Sequence, residues 1–498
     1  MELQFHKIPV SYLSCQLDSV ENKELTQEIR LPDGMPDIGR VITTWAQVQL
    51  RSKERYPGSV TVSGGVMAHI LYMPEGEQEA RVTECWMPFQ HKWEIPDAED
   101  DGPVRVYPIV RFADSRGISA RKLIVRVGVG ILLQAFAPVC QEIPSPPEAP
   151  GDVQILKEFY PLSLIRNVGE KHFHLDEDMV IPDMSEEDKL LCARVIPEIT
   201  DTGITGNRIV FRGNGQVHLI FRKEDGKIAF RHIKLPFSQY GELPASFSSD
   251  ARADILGAVT NLETDVVEPG KIRLKCSMVC QYRIIDRQLI EVGVDAYSPQ
   301  RELQMQREDR VFPVILDQRQ EILRAEQSIP GLAGIPADGS ILPDFPRQYR
   351  SDVGVELELA GVFQILSCSD EGNLQGSNVR WEAKLDLPAD VKSGIRIIPS
   401  TDGIPVCAPG TDGMTVTGNV LLDMTVNTEQ PISMLSGMEL GEIRQRDTDR
   451  PSLILCRVTE ENLWQIAKRA GSTVEKIRET NGLAGEPQKG QMLLIPVL

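Results

Sequence analysis

No stretch of this sequence approaches the roughly 20 consecutive apolar residues that a helix needs to cross a bilayer. The nearest, residues 124–139, is interrupted by Arg126 and Gln134. Positive charge is also scarce. Against 72 Asp and Glu stand 53 Lys and Arg, a formal net charge of −19, which argues against nucleic acid and anionic membrane as partners, since both demand concentrated Lys and Arg. The opening residues Met1-Glu2-Leu3-Gln4-Phe5-His6-Lys7 lack the basic start and apolar run of a signal peptide. The nine cysteines are scattered and odd in number, which fits a reducing compartment better than a disulfide framework. These absences predict a cytoplasmic protein with no membrane insertion and no nucleic-acid partner.

What is present is repetition. A chain of 498 residues is too long for one core and implies three or four domains. Ser59 to Tyr72, Ile209 to Phe221 and Val355 to Leu366 each read as a strand with a mid-strand glycine (Gly64 and Gly65, Gly213 and Gly215, Gly361). Each is followed by an acidic glycine-containing turn, such as Lys223-Glu224-Asp225-Gly226 and Asp370-Glu371-Gly372. A glycine inside a strand marks a bulge or a close approach of backbone. Met87-Pro88-Phe89 through Pro96 is matched by Leu235-Pro236-Phe237 through Pro244, and more weakly by Trp381 through Pro388. A further strand follows in each copy: Leu123 to Leu133, Ile272 to Tyr282, and Met414 to Val426. So long a period reads as tandem homologous domains rather than a solenoid. Pro144 to Gly151 reads as a linker, Pro313 to Gln327 as a helix, and Pro330 to Pro346 as a Gly/Pro-rich approach to the third copy.

The C-terminal segment has a different grammar. Leu453 to Val458 is strand-like, Asn462 to Gly471 and Ser472 to Gly482 read as two short helices, and Pro487 to Pro496 supplies a turn and a closing strand. Asn462 with Gln465, and Ser472 with Glu475, have capping-box spacing. Leu463, Ile466 and Ala467 share one helical face, as do Val474 and Ile477. Gly471 and Gly482 stand where a helix end needs positive φ. This β-α-α-β order, with Leu463-Trp464-Gln465-Ile466-Ala467 and Pro487-Gln488-Lys489-Gly490-Gln491, resembles the lysin motif (LysM) domain, a docking module rather than a catalyst. Glycan-binding members of that family have a Gly-Asp-Thr-like turn before the first helix; here it is Glu460-Glu461-Asn462, a change that weighs against sugar binding. The resemblance places a docking neighbourhood at Glu461, Asn462, Leu463, Trp464, Asn481 and Gly482. On residue type alone, Trp464 reads as a packing residue before a sugar-stacking one.

Tandem β-rich domains followed by a LysM resemble the SPOCS-domain proteins of spore-forming Firmicutes. The expected fold is mainly β: SPOCS-like repeats over 1–143, 152–300 and 301–440, the third preceded by a helical segment, then a small α+β LysM domain over 451–498. The resemblance implies a mother-cell protein at the forespore surface that assembles the spore coat. Its LysM would dock onto the coat-basement ATPase, stage IV sporulation protein A. Peptidoglycan is the alternative ligand, and a cell-wall hydrolase a third reading.

Signatures of chemistry are missing. There is no P-loop, HExxH, Gly-x-Ser-x-Gly or dinucleotide fingerprint. Cys276 and Cys280 lack the two further ligands that zinc requires. His172, His174 and the following Asp176, Glu177 and Asp178 would share a strand, but such residues more often line a solvated edge. His69 and His218 hold equivalent positions, with Gln364 in the third copy, and read as tolerated strand residues. Asp97 to Gly102 lacks the alternation of a calcium loop. Paired carboxylates for glycoside hydrolysis are a matter of space rather than sequence, yet a triplicated chain leaves no unique segment for them. The sequence therefore predicts no catalytic residue, metal or cofactor.

Overall fold

The computed structural model describes residues 2–77, 79–95, 102–182, 184–332, 334–351, 354–369, 373–387, 394–410, 412–444 and 451–498. Of the sequence landmarks, Pro96, Asp97 to Asp101, Asp370 to Gly372 and Pro388 lie outside those residues.

A short β1 (Glu2–Leu3) precedes β2 (His6–Arg30), β3 (Ile38–Tyr56), β4 (Ser59–Pro74), β5 (Arg81–Glu94), β6 (Val104–Ser119) and β7 (Lys122–Ser145). These six pair as two antiparallel sheets, β2-β7-β6 and β3-β4-β5. The order then recurs. β8 (Gln154–Val180), β9 (Lys189–Thr205), β10 (Arg208–Arg222), β11 (Ile228–Glu242), β12 (Arg252–Glu268) and β13 (Lys271–Tyr297) form β8-β13-β12 and β9-β10-β11. In the third copy, β14 (Arg301–Pro330), β20 (Gly413–Ile443) and β19 (Gly394–Pro409) make one sheet. In the other, β17 (Gly354–Cys368) is flanked by β18 (Leu374–Leu387) and by a strand split into β15 (Ile335–Pro343) and β16 (Arg347–Ser351). The chain ends in β21 (Leu453–Arg457), α1 (Leu463–Ala470), α2 (Val474–Asn481) and β22 (Met492–Pro496).

Alternation explains the layers. Along β7, Leu123, Val125, Val127, Val129, Ile131, Leu133 and Ala135 are all buried, and they pack onto Val60, Val62, Val66, Ala68 and Ile70 of β4. A strand presents every second side chain to one face, so this series closes the two sheets into a sandwich. Equivalent cores join β10 to β13 and β17 to β20.

The mid-strand glycines have the role their position predicts. Gly64, Gly213 and Gly361 stand directly across the ladder from Phe89, Phe237 and Trp381. A Cβ at any of them would come within 2.6, 2.6 and 2.7 Å of those rings. On the other side of each glycine the neighbouring strand is irregular: a register shift between Leu50 and Ser52, another facing Arg212 and Gly213, and the break between β15 and β16.

Two expectations need correction. Pro313 to Gln327 is part of strand β14, paired with β20 along its length save for a bulge at Leu316. Its Glu, Gln, Leu and Arg content favours helix, but propensity is a weak prior beside a long ladder that buries Ala325 and Ile329 in the third core. The Gly/Pro-rich stretch from Pro330 to Pro346 contains β15, which pairs with β17.

The three copies close on one another. Past each sandwich, the first and last strands continue as a two-stranded ribbon. The three ribbons share a core: Val10, Tyr12 and Ile143 from the first, Leu162, Leu164, Ile290 and Val292 from the second, Phe312, Val314, Ile432 and Met434 from the third. β1 pairs with β20, so the start of the chain is sealed onto the third copy.

Candidate functional site

The C-terminal module is built as its sequence predicts, with one change. The Asn462 side chain accepts from the Gln465 backbone N–H at 2.9 Å while the Gln465 side chain accepts from the Asn462 N–H at 3.1 Å, a complete capping box. Gly471 and Gly482 end the helices at φ of 68° and 63°. The cap of α2 is Thr473 rather than Ser472, its hydroxyl accepting from the Lys476 N–H at 3.2 Å. Ser472 is instead buried, and its carbonyl accepts from Tyr297 Oη at 3.0 Å.

That last contact crosses to the second copy, and others join it. The Trp464 ring meets Tyr297 edge-on at 4.8 Å, and its Nε1 donates to Asp295 at 2.9 Å. Lys468 pairs with the same carboxylate at 2.8 Å. Burial works to raise the Asp295 pKa, but Lys468 and the indole N–H overcome it and hold the carboxyl below its ordinary range. Trp464 is therefore engaged inside the molecule.

The remaining predicted docking residues divide in two. Leu463 is in the module's core, and Asn481 bonds the backbone of Leu494 in both directions (2.6 and 2.7 Å) and so fastens β22. Glu461 pairs with Arg469 at 2.9 Å, and Asn462 and Gly482 are cap positions. The turn before α1 and the loop after α2 are tied together: Glu486 accepts from the Leu463 N–H at 3.2 Å, and Lys489 pairs with Glu460 at 2.8 Å. Sequence reasoning missed an apolar strip on the outer face of the β21–β22 pair. Leu455 lies directly opposite Leu494 with Leu453 and Met492 beside them, all exposed. The signal was legible as unbroken apolar runs, Leu453 to Cys456 and Met492 to Ile495, in which alternation must put apolar side chains on both faces of the pair.

The second candidate region is the junction of the three copies. Trp45, Arg194 and Ser340 occupy the same register position, opposite His69, His218 and Gln364 respectively. Across the other ladder stand Glu84, His232 and Asn378. These rows interlock. Trp45 Nε1 donates to Asp338 at 2.9 Å, Arg194 donates to Asp338 and Ser340 at 3.0 Å each, and Gln364 donates to the Thr44 carbonyl at 2.6 Å. Burial, with Arg194 and His232 nearby, pushes the His218 pKa down to about 2. A cavity of about 200 Å³ opens beside them, lined by Gln47 and Tyr107, by Arg194, His218 and Leu256, and by Ser340. A second polar knot binds all three copies: Arg105 pairs with Asp254 at 2.7 Å, Arg283 grips the same carboxylate and also donates to Thr425 at 3.1 Å.

The histidines and cysteines that attracted notice in the sequence are otherwise unremarkable. His172 and His174 are exposed on the edge strand β8, contacting Glu170 and Ser277. Cys276 and Cys280 are buried, and burial pushes both thiols up to about 12.

The chain is thus a triplicated β-sandwich body with a small βααβ module packed against it. The family comparison agrees: a SipL SPOCS domain model matches residues 37–116, spanning β3 to most of β6, and a LysM domain model matches 458–496. No curated protein and no solved structure matches the chain significantly. SPOCS and LysM are binding or adaptor domains rather than known enzymes, and the pair fits a sporulation-related protein with a peptidoglycan-binding module. Among the described residues no helix is long and apolar enough to cross a membrane.

Proposed function

We propose that this chain is a non-enzymatic scaffold in spore coat or envelope assembly, recruited through its LysM domain to a coat morphogenetic protein. The partner implied by the resemblance is the coat-basement ATPase, stage IV sporulation protein A, at the mother-cell face of the forespore. On this reading the working units are three SPOCS-like repeats (1–143, 152–300, 301–440) and a LysM (451–498), with β7 and β20 overrunning the first and third limits. The observation that carries the reading is the LysM surface. Its two groove loops are joined by Glu486 and Lys489, while the exposed strip of Leu453, Leu455, Met492 and Leu494 offers a protein partner an apolar face. Glu461 and Asn462 are the accessible edge of the docking neighbourhood; Leu463, Trp464, Asn481 and Gly482 hold its shape. The body supplies partners of its own with sheet edges at β5, β11 and β18, each hydrogen-bonded on one side, suited to strand addition.

Peptidoglycan binding is the second reading, supported by the LysM match itself. The exposed Lys489–Glu460 pair holds the groove only weakly, since such pairs contribute about 0–1 kcal/mol. Two assays separate the readings. Full-length protein and a truncation after Arg450 are co-sedimented with insoluble peptidoglycan, and wild type and Leu455→Glu are offered to the immobilised ATPase. Capture that Leu455→Glu abolishes, without pelleting, supports the scaffold. Pelleting that the truncation abolishes, without ATPase capture, promotes the glycan reader.

A further inference from the structure

We propose that His218, His232 and Asp338 form a binding site for one divalent transition-metal ion, zinc the best fit, which clips the second copy to the third. One ligand atom from each residue lies within 4.8 Å of the others. His218 and His232 face each other in register across β10 and β11; Asp338 comes from β15 of the next copy. Two neutral imidazoles and a carboxylate are a ligand set zinc commonly takes, with a fourth position left for water.

Two further observations point to a ligand. His218 Nδ1 and Asp338 Oδ1 are both buried without a hydrogen-bond partner, and their residues are only 5% and 6% exposed. Buried polar atoms are ordinarily satisfied, so one left open on each of two residues of the cluster asks for an occupant. The surroundings also orient the carboxylate as outer partners of a metal ligand do. Trp45 and Arg194 both donate to Asp338 Oδ2, which leaves Oδ1 toward the histidines, 3.9 Å from His232 Nε2. Arg194 is in turn held by Ser340.

Entry is through His232, the member with an accessible side chain. Bonds of about 2.0–2.2 Å place the ligand atoms of a tetrahedral site roughly 3.3 Å apart, so binding requires the three groups to draw together from within 4.8 Å, and the partly exposed His232 side chain is the member freest to move. The arrangement is particular to this junction. At the equivalent positions the first copy has His69 facing Glu84, and the third has Gln364 facing Asn378.

The test uses the full chain, stripped with a chelator and titrated with Zn²⁺ against a chromophoric competitor, then with Co²⁺ as a spectroscopic probe. Because the His232 side chain is partly exposed, His232→Ala is expected to fold, which a metal-free melting transition matching that of wild type checks; His69→Ala reports on zinc held elsewhere. The expected result is one equivalent per chain, weakened at least about tenfold in His232→Ala and unchanged in His69→Ala. The Co²⁺ spectrum should be that of a four- or five-coordinate nitrogen and oxygen site with no thiolate charge-transfer band. No uptake by wild type, equal affinity in His232→Ala, or a thiolate band showing that cysteine holds the metal would each overturn the proposal.

Discussion

At the scale of single residues, the fold depends on three glycines that make room for three rings. Gly213 shows the arrangement: a Cβ there would meet Phe237 Cζ at 2.6 Å and also collide with the Glu198 carbonyl. The backbone cannot retreat, because Gly213 is central in a three-stranded sheet. Gly213→Ala is therefore expected to destabilise the protein by about 1–3 kcal/mol through overpacking, read as a lower denaturation midpoint. Pairing with Phe237→Ala should relieve part of that cost, since neighbouring substitutions couple. The motif was half legible in sequence. The glycines and the Met87-Pro88-Phe89 and Leu235-Pro236-Phe237 landmarks stood out, but only the register put each glycine opposite its ring.

Secondary-structure elements meet through a few polar knots whose charges can be titrated. Burial acts to raise the Asp254 pKa, but Arg105 and Arg283 override it and hold the carboxyl below the usual range. A depressed folded pKa adds stability above the unfolded value of about 3.9, and that stability is lost as pH falls through the folded value. The junction of the first two copies should accordingly loosen below about pH 4. Asp254→Asn should be less stable at neutral pH and lose less stability on acidification; melting temperature followed from pH 7 to pH 3 checks both. A second contact between elements is Trp464 on β13. Trp464→Ala removes the Tyr297 edge contact and the bond to Asp295. Amide exchange is expected to rise in α1 and at 292–297 while the three sandwich cores keep their protection. An unchanged exchange pattern would show that the LysM is held by other contacts. The helix expected over Pro313 to Gln327 failed at this scale. Its local composition spoke for helix, while the alternation of Leu323, Ala325, Gln327 and Ile329 toward the core spoke for strand and prevailed.

For the whole molecule, what matters is that the copies share a core. Leu162, Leu164, Ile290 and Val292 of the second copy are buried only against ribbons of the other two and their own partners. Residues 152–300 expressed alone would expose that apolar surface together with Asp254, which loses Arg105, and Arg194, which loses Asp338. The excised copy is expected to self-associate or precipitate, whereas the full chain unfolds with strong coupling between copies. Sedimentation velocity of the excised segment checks this, and a monodisperse, stable monomer would contradict it. A body closed in this way presents its sheet edges in fixed relation, which suits a scaffold.

The sequence by itself determined the triplication, the mainly β character and the LysM. Each is written locally: in alternation along strands, in recurring glycine and proline landmarks, and in caps and helical spacing. Only the tertiary structure decided what joins the copies. The meeting of Trp45, Arg194 and Asp338, the pairing of His218 with His232, and the contact of Trp464 with Tyr297 bring together residues far apart in the chain. Their side chains acquire partners only through register and packing. His218 was legible as a repeated position, but its burial beside a carboxylate from another copy was not, because periodicity within one strand says nothing about which strand of another copy will lie against it.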